Sequence, residues 1–485
     1  MRAPDLRNVP KGTASVDESF FTTPYKFRFD KITITTERGG GNQFDVQRVV
    51  SEVNIYEHLD KPFLTATMSL NDIDPNVSLS NEIHFMGTEK VSMDIRVYPG
   101  EQFKITKNFV VTEVLKSQKS NDDNEVFILH LIEDCAYVSS LMRVRRSYRD
   151  KKENIIRSLI ELSGRKLLWN ENKLPVGDKL TRLIVPNFTP LEAANWVKDR
   201  IHTELGFPYF LYSTICDDKI RMLDLESMLT KGRINLEIPY TYTLNSDQVP
   251  PTNADMSSPK DRDKTNIVLE AAYVINSYNV ERVSDHLNMA RKGYTTSKYN
   301  FIDTTFGDNL EFEYAVVDTF SKLIRDGVLD GQTKYPIYDY LAEFNNKKIH
   351  EYDTREITHF ATSRQYNDFF ETESYHEGRS ETEHRAKVVA KALRWWLTNS
   401  SITITAPGRN FLNNGTNMTI GNIIGVEFAG NVSPNRQVPI KELRDQQKSG
   451  DYLVYTARHK FAGERYDCTM TLSKLGTPGM GRGTY

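Results

Sequence analysis

The chain has 485 residues, 39% hydrophobic and 26% charged, with 24 Tyr and 24 Phe. At about 150 residues per domain this leaves room for about three domains with packed cores, and the aromatic content excludes a disordered chain. Lys plus Arg number 62 against 65 Asp plus Glu; the net charge of -3 argues against a protein built mainly to hold nucleic acid or an anionic membrane.

Residues 1–24 are rich in Pro, Thr, Asp and Asn, lack periodicity and read as an N-terminal arm. From Tyr25 the pattern alternates. Strands are predicted from Lys26 to Thr35, Val49 to Tyr56, Phe63 to Leu70, Val91 to Tyr98, Phe109 to Ser117 and Glu125 to Ile132. Gly39–Asn42, Pro99-Gly100 and Lys119–Asn124 supply the turns. Short strands at this density predict a β-barrel or sandwich over 25–136. Helical periodicity follows at Glu153–Leu162, with Gly164 as its stop. A second helix starts at Thr189, with Thr189 as N-cap, Pro190 in the first position and Glu192 closing a capping box. Its apolar face, Leu191, Ala194, Val197, Ile201 and Leu205, runs to Gly206. Strands at Tyr209–Ser213 and Lys219–Asp224 complete a small α/β domain, 137–235.

Thr243–Lys264 reads as a linker, and strands resume within Asn266–Val283. A second β-barrel therefore begins over 236–310, is interrupted by a mixed, charge-rich insertion at 311–384, and resumes over 385–475. That last part opens with a helix near Glu383–Thr398 and continues as strands at Ser401–Thr405, Ile423–Phe428, Tyr452–His459 and Asp467–Leu472. Residues 476–485 read as a flexible tail, and no repeat of 20–50 residues is evident. The expected fold class is α+β and β-rich: two β-barrel domains, an inserted small α/β domain and a further mixed insertion.

Chemistry is sparse. Cys135, Cys216 and Cys468 lie far apart, which suits a chain folding in a reducing cytoplasm without disulfides. No signal peptide and no apolar run long enough to span a membrane are visible, so no stable membrane anchoring is expected. Phosphate-loop, nucleophile-elbow and dinucleotide motifs are missing. His376 and His384 flank an acidic segment without ligand-pair spacing, and Glu133-Asp134 or Glu371 with Glu373 carry no surrounding motif. No enzyme, cofactor or metal is expected. Trp395-Trp396 could form a sugar platform, but helical spacing with Val389 and Leu393 puts one Trp in the core and the other at an interface.

One basic cluster stands out: Arg143, Arg145, Arg146, Arg149, Lys151 and Lys152. It reads as a solvated linker and helix entrance, as a docking surface for an acidic partner, or, least in keeping with the overall charge, as a nucleic-acid contact.

Four segments carry a family resemblance. Ile55-Tyr56-Glu57, Leu59, Pro62-Phe63 and Thr65-Ala66 resemble the IYE-x-L-x-x-PF-x-T/S-G strand pair of the baseplate hub proteins of T-even-type contractile-tailed bacteriophages, with Ala66 where the family usually has Gly. Val144–Lys151 resembles the family's junction from barrel to α/β domain, where a strand leads through a polar turn into a helix. Pro186, Pro190-Leu191-Glu192-Ala193 and Trp196 resemble its P-x-x-x-P-L-E-A-x-x-W helix entrance. Gly450–Val454, His459-Lys460-Phe461 and Tyr466–Leu472 are similar to its closing hairpin. The resemblance covers roughly 25–310 and 385–475.

The resemblance implies two tail-tube-type barrels per chain and a homotrimer that imitates a sixfold ring. One face would meet the tail tube or tube-initiator proteins, and the other the trimeric tail spike protein. Baseplate wedge proteins and the tape measure protein would be neighbours, and DNA would cross the channel only in transit at genome ejection. The location implied is the virion tail baseplate, after assembly in the host cytoplasm. No catalytic residue comes with these motifs. Two other readings stay open: the scaffold of a related contractile injection or secretion apparatus, and a tail-associated peptidoglycan hydrolase.

Overall fold

The stretch Thr65–Asp72 shows why this chain makes strands. Ala66, Met68 and Leu70 point one way and are fully buried, while Thr65, Thr67 and Ser69 between them keep partial contact with water. A computed structural model describes residues 27–37, 41–72, 83, 85–97, 104–121, 124–169, 180–203, 205–231, 233–235, 239–242, 273–282, 285–303, 308–316, 318–319, 343–361, 373–375, 381–398, 401–413, 416–428, 445, 448–463 and 465–474. The arm 1–24, the stretch 243–264, the tail 476–485, His376 and Glu377 lie outside the described residues. The fold is α+β and β-rich.

In the first β-unit, β1 (Phe27–Thr36), β2 (Asn42–Asp45), β3 (Val50–His58), β4 (Thr65–Asp72), β5 (Lys90–Val97), β6 (Lys104–Asn121) and β7 (Asn124–Glu133) pair in the order β3-β4-β7-β6-β5-β1-β2. The sheet rolls around Ile32, Ile34, Ile55, Met68, Met93 and Leu129, all fully buried. Val46 N–H donates to Ile32 O at 3.0 Å and Asn71 N–H to Val49 O at 2.7 Å, so the turn between β2 and β3 closes the roll.

The α/β module comprises α1 (Asp134–Ser140), β8 (Ser147–Asp150), α2 (Lys152–Glu161), β9 (Lys166–Trp169), β10 (Leu180–Ile184), α3 (Pro190–Lys198), β11 (Tyr209–Ser213), β12 (Lys219–Asp224) and α4 (Leu225–Leu229). Ile155, Ile156, Leu159 and Ile160 of α2 pack with Ala193, Ala194 and Val197 of α3 over Leu211, Ile220 and Met222. The capping box is present: Glu192 N–H donates to Thr189 Oγ1 at 3.4 Å, and Thr189 N–H to Glu192 Oε2 at 2.9 Å. The helix stops at Lys198, short of the expected Leu205. Beyond it His202 pairs with Pro208 in an antiparallel bridge, and buried Lys198 reaches Asp60 of the first β-unit at 2.5 Å.

Further along come β13 (Tyr240–Tyr242), β14 (Ser277–Arg282), α5 (His286–Arg291), β15 (Thr296–Asp303), β16 (Asp308–Ala315), β17 (Glu343–Phe344), β18 (Lys347–Lys348), β19 (Glu356–Ala361), β20 (Glu373–Tyr375), α6 (Glu381–Leu397), β21 (Ser401–Pro407), β22 (Leu412–Asn413), β23 (Thr416–Asn417), β24 (Ile423–Phe428), β25 (Gly450–Ala462) and β26 (Arg465–Ser473). β15 pairs with β16 and β19 in a separate small sheet, and β20 extends the β10–β8 pair of the α/β module. In α6 Trp396 is fully buried, the core Trp that the spacing predicts, and Trp395 is 40% exposed and stacks on Tyr294.

The second β-unit is a barrel of six described strands. β14, β21, β26, β25 and β24 pair in sequence, and β13 lies parallel to β24. Thr241 N–H donates to Tyr273 O and Ile275 N–H to Thr241 O, both at 2.9 Å, so the lead into β14 meets β13 and closes the circle. Five strands repeat the first unit: β14, β21, β24, β25 and β26 follow the chain order and antiparallel pairing of β3, β4, β5, β6 and β7. One bulge recurs, between Val111 and Glu113 in β6 and between Val454 and Thr456 in β25, and β6 has two more, after Val114 and after Lys119. The sixth strand departs, since β1 is antiparallel to β5 while β13 is parallel to β24. This period is far longer than the 20–50 residues within which the sequence shows no repeat.

Candidate assembly interface

The joint between the two β-units is a change of partner along β25. Gly450–Leu453 pair with β24, and after the bulge Thr456–Ala462 pair with β3. A bulge twists and redirects a strand, which suits it to this transfer. The tip of the β25–β26 hairpin thus lies in the first unit, where Phe461 and Tyr466 are fully buried and stack at 4.4 Å. Gly408 lies against that ring; an added Cβ would meet it at 2.3 Å.

A polar knot sits under the joint. Glu57 accepts from Ile215 N–H of the α/β module and from Thr419 Oγ1–H, both at 2.5 Å. His459 Nε2 lies 3.2 Å from Glu57 Oε2, and His459 Nδ1 lies 2.7 Å from Tyr466 Oη. Burial pushes the Glu57 carboxyl up. The attraction of His459 and the hydrogen bonds of His459, Thr419 and Ile215 outweigh that and hold it below the ordinary range. A Tyr–His–Glu line resembles a proton relay in composition, but Glu57, His459 and Tyr466 are at most 1% exposed, so water and substrate have no access. Its chemistry is cross-linking. The alternation Val53-x-Ile55-x-Glu57 places Glu57, the acid of the Ile55-Tyr56-Glu57 motif, on the buried face of β3.

Two ionic clusters tie the α/β module to the β-units. Asp60 meets Lys198 at 2.5 Å and Arg394 of α6 at 3.3 Å. Buried Lys107 reaches Asp218 at 2.9 Å and Glu133 at 3.7 Å, while Arg165 reaches Glu133 at 3.1 Å and Asp134 at 2.5 Å. Glu133, Asp134 and Cys135 could in principle hold a metal ion, their ligand atoms lying within 4.8 Å of one another. Arg165 and Lys107 already pair with these carboxylates, and burial pushes the Cys135 thiol up to about 12, which keeps it protonated. The donor set suits a structural ion network better than a metal.

The basic cluster is spread over two elements. Arg143, Arg145, Arg146 and Arg149 are exposed before and along β8, whereas Lys151 and Lys152 are half-buried at the start of α2. Arg145 Nε donates to Asn187 Oδ1 at 2.6 Å, Arg146 Nε to Tyr148 Oη at 2.7 Å, and Lys152 Nζ to Arg200 O at 3.3 Å. Arg143 lies 3.9 Å from Glu192. Among the described residues no helix is long and apolar enough to cross a membrane.

No family model matches the chain, and no curated protein matches it. Among solved structures it is similar to a 43 kDa tail protein of prophage MuSo2 from Shewanella oneidensis, at 9% identity and a TM-score of 0.48, covering 91% of this chain and 97% of that one. It is also similar to a tail protein from Neisseria meningitidis, at 11% identity and a TM-score of 0.46, over 94% and 100% of the two chains. A third is an Escherichia coli component of the type VI secretion system described as structurally similar to phage T4 tail proteins, at 9% identity and a TM-score of 0.38, over 94% and 78%.

Proposed function

We propose that this chain is a structural hub of a contractile phage tail baseplate, a trimeric ring that adapts a trimeric spike to a hexameric tail tube and forms part of the ejection channel. The observation that carries the reading is the five-strand unit present twice in one chain, with one copy joined to the other by strand addition at β3 and β25. A chain with two equivalent units presents six to its surroundings when three chains assemble, and a closed ring leaves fewer exposed strand edges. The motifs at Ile55–Ala66, Pro186–Trp196 and Gly450–Leu472 support the hub family in particular. In this reading the partners are the spike, the tube or its initiator, the wedge proteins and the tape measure protein, with DNA only in transit and the virion baseplate as the location.

The protein acts by shape and carries no catalytic step. Incubation with cell-wall sacculi is expected to leave turbidity unchanged. Turbidity loss abolished by replacing a single Glu or Asp would replace the hub with a hydrolase. Mass photometry and negative-stain imaging are expected to show three-chain rings. A chain that stays monomeric at high concentration and with spike protein present would refute the hub.

A further inference from the structure

The duplicated unit has one joint in use and an equivalent one with no occupant among the described residues. In β25 the segment past the bulge covers the edge of β3. In β6, Lys104–Val110 pair with β5, and Val111 N–H still donates to Glu89 O at 2.8 Å, as Val454 N–H does to Asn422 O at 3.0 Å. Past the bulge, no strand among the described residues pairs with that edge of β6. The counterpart of β3 is β14, the terminal strand of the large sheet, which pairs with β21 and, over Ser277–Arg282, with no other described strand.

Burial follows the same division. Ala457, held between the two units, is 2% exposed, while Val114 at the matching position of β6 is 36% exposed and Leu115 beside it 49%. Val53 and Ile55 under the β25 hairpin are fully buried; their counterparts in β14, Tyr278 and Val280, are only half-buried. An open strand edge flanked by exposed apolar side chains is a template for another strand.

We infer that the half of β6 beyond its bulge adds antiparallel to β14 of a second copy of this chain, repeating between chains the joint that β25 makes with β3 within one. This inference rests on the ring reading and specifies its contact. The occupant is a second copy because the complementary element is carried by the same sequence. The register is set by matching hairpin partners, because β6 and β14 each carry a bulge, after Val114 and after Val280, that β25 and β3 lack at those places. His459, opposite Cys468 in β26, faces Ile55 of β3. Ser117, opposite Phe127 in β7, holds the same place in β6, and Val280, opposite Ile402 in β21, holds the place that Ile55, opposite Ala66, has in β3. Ser117 of one copy therefore faces Val280 of the next.

The test is a cysteine pair, Ser117→Cys with Val280→Cys, in the full-length chain. Facing residues of antiparallel strands have Cα atoms about 4.5–5.5 Å apart, within disulfide range. Under mild oxidation most of the protein is expected to become two- and three-chain species that a reductant dissolves. Either single cysteine, or Ser117→Cys with Asn279→Cys one residue out of register, should give none. Circular dichroism checks folding, and mass photometry runs alongside. A folded double variant that forms three-chain particles without cross-linking, or cross-links no better than the out-of-register pair, overturns the strand contact and leaves the ring standing. A wild-type chain that remains monomeric under all conditions overturns both.

Discussion

Replacing Glu57 by Ala should test whether the joint between the β-units is a source of stability. The side chain is 1% exposed and receives two hydrogen bonds at 2.5 Å, with His459 Nε2 at 3.2 Å. Truncation leaves Ile215 N–H and His459 Nε2 without their acceptor, while Thr419 Oγ1–H keeps Asn417 Oδ1 at 3.1 Å. A buried donor left unmade costs about 1–3 kcal/mol, more where the lost acceptor is a carboxylate, and two such donors face Glu57. Water entering the vacated volume recovers part of this, so the expected loss is about 3–5 kcal/mol. The control is Glu52→Ala in the same seam, where Glu52 meets Lys460 at 3.1 Å and Arg458 at 3.6 Å from a partly exposed position. That pair is worth up to about 1 kcal/mol. Urea unfolding followed by fluorescence, with limited proteolysis to show which part opens, measures both variants. Because Glu57 is held below the ordinary range, its contribution is present above the usual glutamate pKa of about 4.3 and is lost as pH falls below it. A Glu57→Ala shift of under about 1 kcal/mol, or one no larger than that of Glu52→Ala, would show that the knot is incidental to the joint.

Thr189→Ala should cost on the order of 1 kcal/mol, because Glu192 N–H loses its cap; an unchanged urea midpoint would remove the capping box from the account. Burial, aided by the nearby Lys152, lowers His202 to about 4. Its stabilisation is complete above about 6.5 and declines as pH falls toward 4, so stability against pH should flatten over that window in His202→Gln, and an unchanged slope would contradict it. Reversing Arg145, Arg146 and Arg149 to Glu should block particle assembly while circular dichroism stays unchanged, and normal assembly by the triple variant would return these arginines to a solvated surface.

Local physics was legible in the sequence. The cap at Thr189, the alternation of Thr65–Asp72 and the division of Trp395 from Trp396 depend on neighbours within a few positions, so residue order contains them. What decided the joint is not local. Period-two alternation is the same whichever strand lies alongside, so Tyr452–His459 reads as one strand, and only the folded sheet shows that the halves of Gly450–Ala462 serve different β-units. After α3 the chain leaves the helix and pairs His202 with Pro208 in a tight antiparallel bridge, which the apolar spacing running to Leu205 does not contain. Glu57 could be placed on a buried face from its spacing, but its partners Ile215, Thr419 and His459 lie too far along the chain for any spacing rule to join them. That the chain holds two β-units was legible in its strand pattern, but their strand-for-strand correspondence was not: it resides in which strands pair, and pairing is fixed by the closure of a common core.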